Sequence, residues 1–269
     1  MLLRANCKIN IGLRVKYRRP DGYHEIETLF YPVKKLYDTL QVERIDDGGQ
    51  TIRLIVSGMT LDCSDDDNLL VRTYRHMVGL YPSIGSVSVH LDKRVPFGAG
   101  LGGGSSDAAH LAIALNELFE LGLSADQLAA AVKPIGADCP FFVYNTPCRA
   151  TGIGDQLVPA ELDWTGKRLV MLKPDVSVST KEAYSGIHLH NEPFDIRVND
   201  FEPTVFERYP ILMRLKQQLL ADGAEYAAMS GSGSTIFGVF EDNAESRAML
   251  KLRLQDKEFA TMVIFNDTL

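Results

Sequence analysis

The chain opens on an alternation of apolar and polar residues that predicts a strand over residues 2–15. Lys8 and Asn10 interrupt its apolar positions. On a strand they share one face, which either lines a site or is the solvent side of an edge strand. Pro20-Asp21-Gly22 is turn chemistry, so the next strand is expected from about 24 to 33. Residues 39–46 and 51–57 read as two more strands, joined as a hairpin across Asp46-Asp47-Gly48-Gly49. The period then changes. Leu70, Tyr74, Met77 and Tyr81 share one face of a helix starting near Asn68, with Ser64, Asp65, Asp66 and Asp67 serving as caps and dipole compensation. Val87, Val89 and Leu91 mark a strand over 86–92. Ala108, Leu111, Ala112, Leu115, Leu118 and Phe119 then return to helical spacing.

The second half is more interrupted. Ser124-Ala125-Asp126-Gln127 fits a capping box for a short helix ending near Lys133-Pro134. Gly152, Gly154, Pro159, Trp164 and Gly166 fall in a polar crossover over 150–167, which places a domain junction there and divides the chain into residues 1–158 and 159–269. Beyond it come a strand from Arg168 to Lys173, a short capped helix from Ser179 to Tyr184, and a helix from Pro210 to a stop at Gly223. A strand over 235–240, a helix over 243–254 and a strand over 259–265 complete the series.

Composition narrows the class of function. A chain of 269 residues with 45% hydrophobic and 23% charged residues is that of a soluble globular protein, and a net charge of −7 argues against nucleic acid as the main partner. Cys7, Cys63, Cys139 and Cys148 form no C-x-x-C pair, so free thiols are expected rather than zinc. With no signal-peptide pattern and no membrane-length apolar run, a reducing, cytoplasmic setting is the default expectation.

The chemistry concentrates in Pro96-Phe97-Gly98-Ala99-Gly100-Leu101-Gly102-Gly103-Gly104-Ser105-Ser106-Asp107. Its glycines free the backbone to bring amides close to an anion, and Ser105, Ser106 and Asp107 are residues suited to cap the helix that follows. Amides and a positive helix terminus facing one spot make a place for phosphate. The run also satisfies G-x-G-x-x-G. However, no acidic residue follows at dinucleotide spacing outside the helix, and no Lys-Ser/Thr follows as in a P-loop. Asp138 stands among Ala137, Cys139, Pro140 and Phe141, where a carboxylate is paired, functional, or an N-cap for the turn at Cys139-Pro140. Tyr23 and His24 put an aromatic face beside an imidazole, suited to a flat heterocycle or to ordinary packing. Ser230, Gly231, Ser232 and Gly233 form a second small-residue loop, where backbone comes close to something else. His188 and His190 have no third ligand nearby and read as surface residues.

Together, Lys8-x-Asn10, the 96–107 loop, Gly136-Ala137-Asp138 and the 230–234 loop resemble the GHMP small-molecule kinases, and Pro20 to His24 with Glu27 to Phe30 resembles a member acting on a cytosine-bearing alcohol. The resemblance implies an α+β fold: an N-terminal domain like ribosomal protein S5 domain 2 and a C-terminal ferredoxin-like domain. It implies ATP, held by Pro96, Gly98, Ala99, Gly100, Leu101, Gly102, Gly103, Gly104, Ser105 and Ser106; Mg²⁺ is expected because ATP carries it, with Ser106 as the protein contact through its hydroxyl or a water. Asp138 becomes the catalytic base, with Lys8 beside it. Asn10, Tyr23, His24 and Tyr184 become acceptor-binding residues, Tyr184 standing where the family more often has Phe. Ser230 to Gly233 becomes a substrate or phosphate loop. The implied partners are small molecules, not nucleic acid or membrane, and the protein is expected as a monomer or homodimer. The competing readings are a GHMP kinase for mevalonate or homoserine, and a non-catalytic nucleotide- or RNA-binding protein on the S5-like fold.

Overall fold

The structure, a computed structural model, describes residues 1–59, 67–189 and 192–269. Two compact units are present, each discontinuous in sequence. The first holds Met1–Lys8, Pro32–Phe97 and Gly102–Thr146, and the second Ile9–Tyr31, Gly98–Leu101 and Pro147–Leu269. Two long strands, β1 (Leu2–Arg18) and β2 (His24–Arg44), each contribute residues to both units.

In the first unit, β3 (Ile52–Gly58) pairs in parallel with β4 (Val87–Lys93), and β4 pairs antiparallel with Thr39–Arg44 of β2. The expected hairpin between 39–46 and 51–57 is therefore not formed, because β4 lies between its two arms. Val87, Val89 and Leu91 of β4 are fully or almost fully buried, whereas β3 is largely exposed, so burial gives β4 the inner position and leaves β3 at the edge. Helices α1 (Leu69–Leu80), α2 (Gly103–Leu118), α3 (Ala125–Val132) and α4 (Cys139–Tyr144) complete the unit. Asn68 caps α1 by accepting the Leu70 amide at 2.9 Å, and Ser124 and Gln127 form the expected capping box on α3. Ser64, Asp65 and Asp66, expected to cap α1, lie outside the described residues. Leu111 and Leu115 of α2 join Leu40, Val42, Tyr74 and Met77 in one buried cluster.

In the second unit, Thr28–Phe30 of β2 pair antiparallel with β5 (Cys148–Thr151), which pairs with β6 (Gln156–Pro159). β7 (Arg168–Leu172) belongs to a separate four-stranded antiparallel sheet. Helices α5 (Thr180–Ser185), α6 (Glu202–Arg208) and α7 (Pro210–Ala221) come next, followed by β8 (Tyr226–Met229) and β9 (Ile236–Phe240), then α8 (Ala244–Arg253), α9 (Lys257–Met262) and β10 (Val263–Thr268). The strand order is β10-β7-β9-β8. The strand expected at 259–265 begins only at Val263. Asp256 accepts the amides of Glu258 and Phe259, and that cap turns the first half of the apolar run into α9. Leu212, Leu215 and Leu219 of α7 pack with Val170, Leu172 and Ile236 in the second buried cluster. Mixed helix and sheet in these two arrangements is the α+β architecture expected from the sequence.

Leu111 has no exposed surface. Leu111→Ala is expected to cost about 2–5 kcal/mol of stability, read as a lowered urea midpoint with an unchanged slope.

Candidate functional site

The glycine loop joins β4 to α2, with Gly98, Gly100 and Gly102 at positive φ. Gly98–Leu101 belong to the second unit and Gly102 onward to the first. Within the second unit, the loop lies against the 230–233 segment. Ser230 Oγ donates to the Gly100 carbonyl at 2.9 Å and accepts the Asn10 amide at 3.2 Å, while the Thr235 amide donates to the Ala99 carbonyl at 3.3 Å. A Cβ on Gly100 would fall 2.0 Å from the Ser230 carbonyl oxygen, at a φ of +76°. Glycine is required there both by the backbone angle and by the approach of the second loop. Asn199 Nδ2 donates to the carbonyls of Met229 and Gly231 at 2.8 Å each, fixing that loop from the other side. Asn10 is buried, and its Nδ2 donates to Thr28 Oγ1 at 3.2 Å.

In the first unit, α2 starts at Gly103 with Gly102 in the N-cap position, so Ser105, Ser106 and Asp107 are inside the helix rather than capping it. The first amides of a helix lack intrahelical acceptors, so α2 directs N–H groups and the positive end of its dipole back along the loop. Lys8 and Asp138 are together, Nζ to Oδ2 at 3.4 Å, the lysine 4% and the aspartate side chain 29% exposed. Asp138 occupies the N-cap position of α4, yet its side chain makes no capping bond. The geometry thus favours a paired carboxylate over a structural cap. Lys8 is no solvent-facing strand residue either: the shared Lys8–Asn10 face is buried. Beside Asp138, burial pushes the Cys139 thiol up to about 12, which leaves it inert.

The hydroxyl of Ser106 is enclosed. Its Oγ lies 3.3 Å from His110 Nδ1, and His110 also sits 2.8 Å from the Ser106 carbonyl. These contacts hold the serine against its own helix turn. Among the described residues, no group of three or more His, Cys, Asp and Glu side chains could hold a metal ion. His188 is exposed; His190 and Cys63 lie outside the described residues. Cys7, Cys139 and Cys148 are free and buried.

The acceptor-binding candidates of the second unit lie on the β1–β2 turn and on α5. The Tyr23 amide donates to Asp21 Oδ1 at 3.1 Å, and Tyr23 is 62% exposed. His24 stacks on Tyr184 with ring centroids 4.5 Å apart and planes 13° from parallel. Tyr184 in turn meets the edge of Phe201 at 4.8 Å. Ser179 caps α5, and Glu182 pairs with Arg208 and accepts from the Tyr209 hydroxyl at 2.9 Å, so the first turn of the helix carrying Tyr184 is anchored. Burial and the nearby Arg18 hold the His24 imidazole below its ordinary value, so it is neutral at pH 7. Sequence reading took in Thr28 only as part of the Glu27 to Phe30 motif, without a role of its own, and missed Asn199. The signal for Asn199 was an Asn-Asp pair in a loop, which is commonplace.

Residues 68–146 match the GHMP kinases N terminal domain and residues 182–255 the GHMP kinases C terminal domain. Across 255 residues the chain is 41% identical to a 4-diphosphocytidyl-2-C-methyl-D-erythritol kinase of Bacteroides thetaiotaomicron, covering 90% of this chain and 92% of that protein. The chain belongs to the GHMP kinase family. A crystal structure of 4-(cytidine 5'-diphospho)-2C-methyl-D-erythritol kinase superposes with a TM-score of 0.78 at 31% identity, covering 94% of each chain. Homoserine kinase from Cytophaga hutchinsonii superposes with a TM-score of 0.67, covering 98% of this chain and 93% of that one. At 14% identity, that match speaks for the GHMP kinase fold alone. The N- and C-terminal GHMP kinase domains implied by the resemblance are both present, and with curated relatives named as kinases the chain is an ATP-dependent small-molecule kinase.

Gly100→Ala is expected to destabilise the protein by more than about 1 kcal/mol, because both the positive φ and the Ser230 carbonyl oppose a Cβ. Thermal unfolding measures it, and a substitution at Gly122, where a Cβ would meet nothing within 4 Å at a similar φ, isolates the contribution of φ alone.

Proposed function

We propose that this GHMP kinase transfers the γ-phosphate of ATP to the 2-hydroxyl of 4-diphosphocytidyl-2-C-methyl-D-erythritol, a step of the non-mevalonate (methylerythritol phosphate) route to isoprenoid precursors. The observation that carries the choice of acceptor is the aromatic set at the β1–β2 turn. A neutral His24 against Tyr184, with Tyr23 exposed beside it in sequence, suits a pyrimidine and has no use in a kinase for mevalonate or homoserine. The 41% identity to an enzyme named for this acceptor supports it.

The roles follow from what phosphoryl transfer needs: a positioned hydroxyl, a group to take its proton, and donors for the charge on the transferring phosphate. Asp138 takes the proton. Lys8 stabilises the developing alkoxide and the phosphate, and the carboxylate beside it holds its ammonium in place. The backbone of Pro96 to Ser106 holds the ATP phosphates, with the N-terminal end of the α2 dipole directed at them. Asn10 and Ser230 to Gly233 position the acceptor's polar groups, and Tyr23, His24 and Tyr184 bind cytosine. Because His24 and Tyr184 are already in face contact, a base enters against an outer ring face or by parting them. Mg²⁺ neutralises phosphate charge when bound with ATP, and no side chain is assigned to it. Among the described residues no helix is long and apolar enough to cross a membrane, which fits the cytoplasmic setting proposed for this enzyme.

ADP release in the presence of the cytidylyl acceptor, mevalonate and homoserine separates the candidate substrates; release with mevalonate alone would sink this reading. Asp138→Asn is expected to lower turnover by on the order of 10² or more while leaving ATP binding within a few-fold, and unchanged turnover would remove Asp138 as base. Because the His24 pKa lies below the ordinary 6.5, the KM for the acceptor should stay flat from pH 8 down to that value and rise only at lower pH, as the ring gains its proton. His24→Gln should flatten that rise. A KM that climbs between pH 8 and 7 would contradict a neutral ring.

A further inference from the structure

Lys93, the last residue of β4, is 2% exposed and carries its ammonium into the fold. Nζ lies 2.5 Å from Asp38 Oδ2 and 2.8 Å from Asp107 Oδ2, and both aspartates are buried. The other oxygen of Asp38 accepts the amides of Arg94 at 2.6 Å and Val95 at 2.8 Å, the residues by which the chain leaves β4 for the glycine loop. Asp107 stands in α2 just after the loop, and its Oδ1 is buried without a hydrogen-bond partner. A Cβ on Gly103, the first residue of α2, would fall 3.1 Å from Lys93 Nζ and 2.9 Å from Val95 Cγ1.

Two buried carboxylates share one buried ammonium, and one oxygen of Asp107 goes without a hydrogen-bond partner. Burial of this kind pushes the Asp107 carboxyl upward and costs stability relative to an apolar core of the same shape. The cluster is too enclosed to touch a substrate. What it does is tie three things together: Asp38 to the entry of the loop, Lys93 to Asp38, and Asp107, on the first helix after the loop, to Lys93. We infer that Asp38, Lys93 and Asp107 are positioning residues that set the distance between the two ends of the glycine loop, and thereby its affinity for the phosphates of a nucleotide. The inference rests on the reading that this loop holds the ATP phosphates.

Three variants of the full-length protein test it, with the Kd for β,γ-imido-ATP by calorimetry, steady-state KM and kcat, and thermal unfolding as readouts. Asp38→Asn keeps an oxygen for the Arg94 and Val95 amides but sets an NH₂ against the Lys93 ammonium. Asp107→Leu removes the tie to α2 while filling the space, and Asp107→Asn restores an acceptor for Lys93. Asp38→Asn and Asp107→Leu are expected to weaken nucleotide binding about 10-fold, with KM for ATP rising in step, kcat within about 3-fold and KM for the acceptor unchanged; Asp107→Asn should stay within about 2-fold. A role confined to stability shifts the unfolding temperature and leaves Kd alone, so folded Asp107→Leu protein with an unaltered Kd overturns the inference. If Asp38→Asn does not fold, the two Asp107 variants decide. If the unaltered protein binds the analogue but phosphorylates no cytidylyl alcohol, the functional reading fails and the variants still decide this one. If it binds no nucleotide, both fail.

Discussion

A lysine ammonium that is 4% exposed has lost almost all of its hydration, and the carboxylate of Asp138 is what makes its position tolerable. This constraint reaches through much of the first unit. β1 must deliver Lys8 inward, against the usual preference of lysine for solvent. α4 must begin at Asp138, yet leave its side chain uncommitted to capping. Gly102 must stay without a side chain, because a Cβ there would fall 3.1 Å from Lys8 Cε and 3.0 Å from the Phe142 ring. A Lys–Asp pair with a buried lysine and a part-exposed aspartate is a weak device for stability but suits chemistry: a fixed cation beside an acceptor for a proton.

The second constraint is close approach of backbone to backbone. Two glycine-containing loops, 98–101 and 230–233, press together until only glycine fits at position 100, with the Ser230 hydroxyl bridging the Gly100 carbonyl and the Asn10 amide. Side chains here are committed to holding loop backbone, mostly by its carbonyls, and backbone amides are the groups that grip phosphate without sequence-specific chemistry. Asn199 and the Asp38–Lys93–Asp107 cluster belong to the same scheme: buried polar groups whose partners are loop backbone or the residues at a loop's ends.

Much of this was legible in the chain. The helix start near Asn68, the capping box at Ser124 and the apolar spacing of α2 and α7 are local signals, and local signals survive folding. Lys8, Asp138 and the glycine loop could be picked out because each violates a local rule: a lysine in an apolar strand, an aspartate among apolar residues, a run of glycines before a helix. What could not be read was non-local. β4 displaces the apparent hairpin because burial, not sequence proximity, decides which strand lies inside. The partnership of Asp38 with Lys93 spans 55 positions, and each residue taken alone looks like an ordinary surface charge. α9 was hidden by an apolar run that reads equally as strand, until the Asp256 cap is seen.

The proposed function turns on transfer of phosphate to one hydroxyl of one acceptor. Phosphorus NMR of the product formed from ATP and 4-diphosphocytidyl-2-C-methyl-D-erythritol tests it most directly, because C2 bears a methyl group and no hydrogen. The account predicts a new phosphomonoester resonance without three-bond coupling to a carbinol proton, beside an unchanged diphosphate. A proton-coupled phosphomonoester, or inorganic phosphate as the sole product, would contradict it.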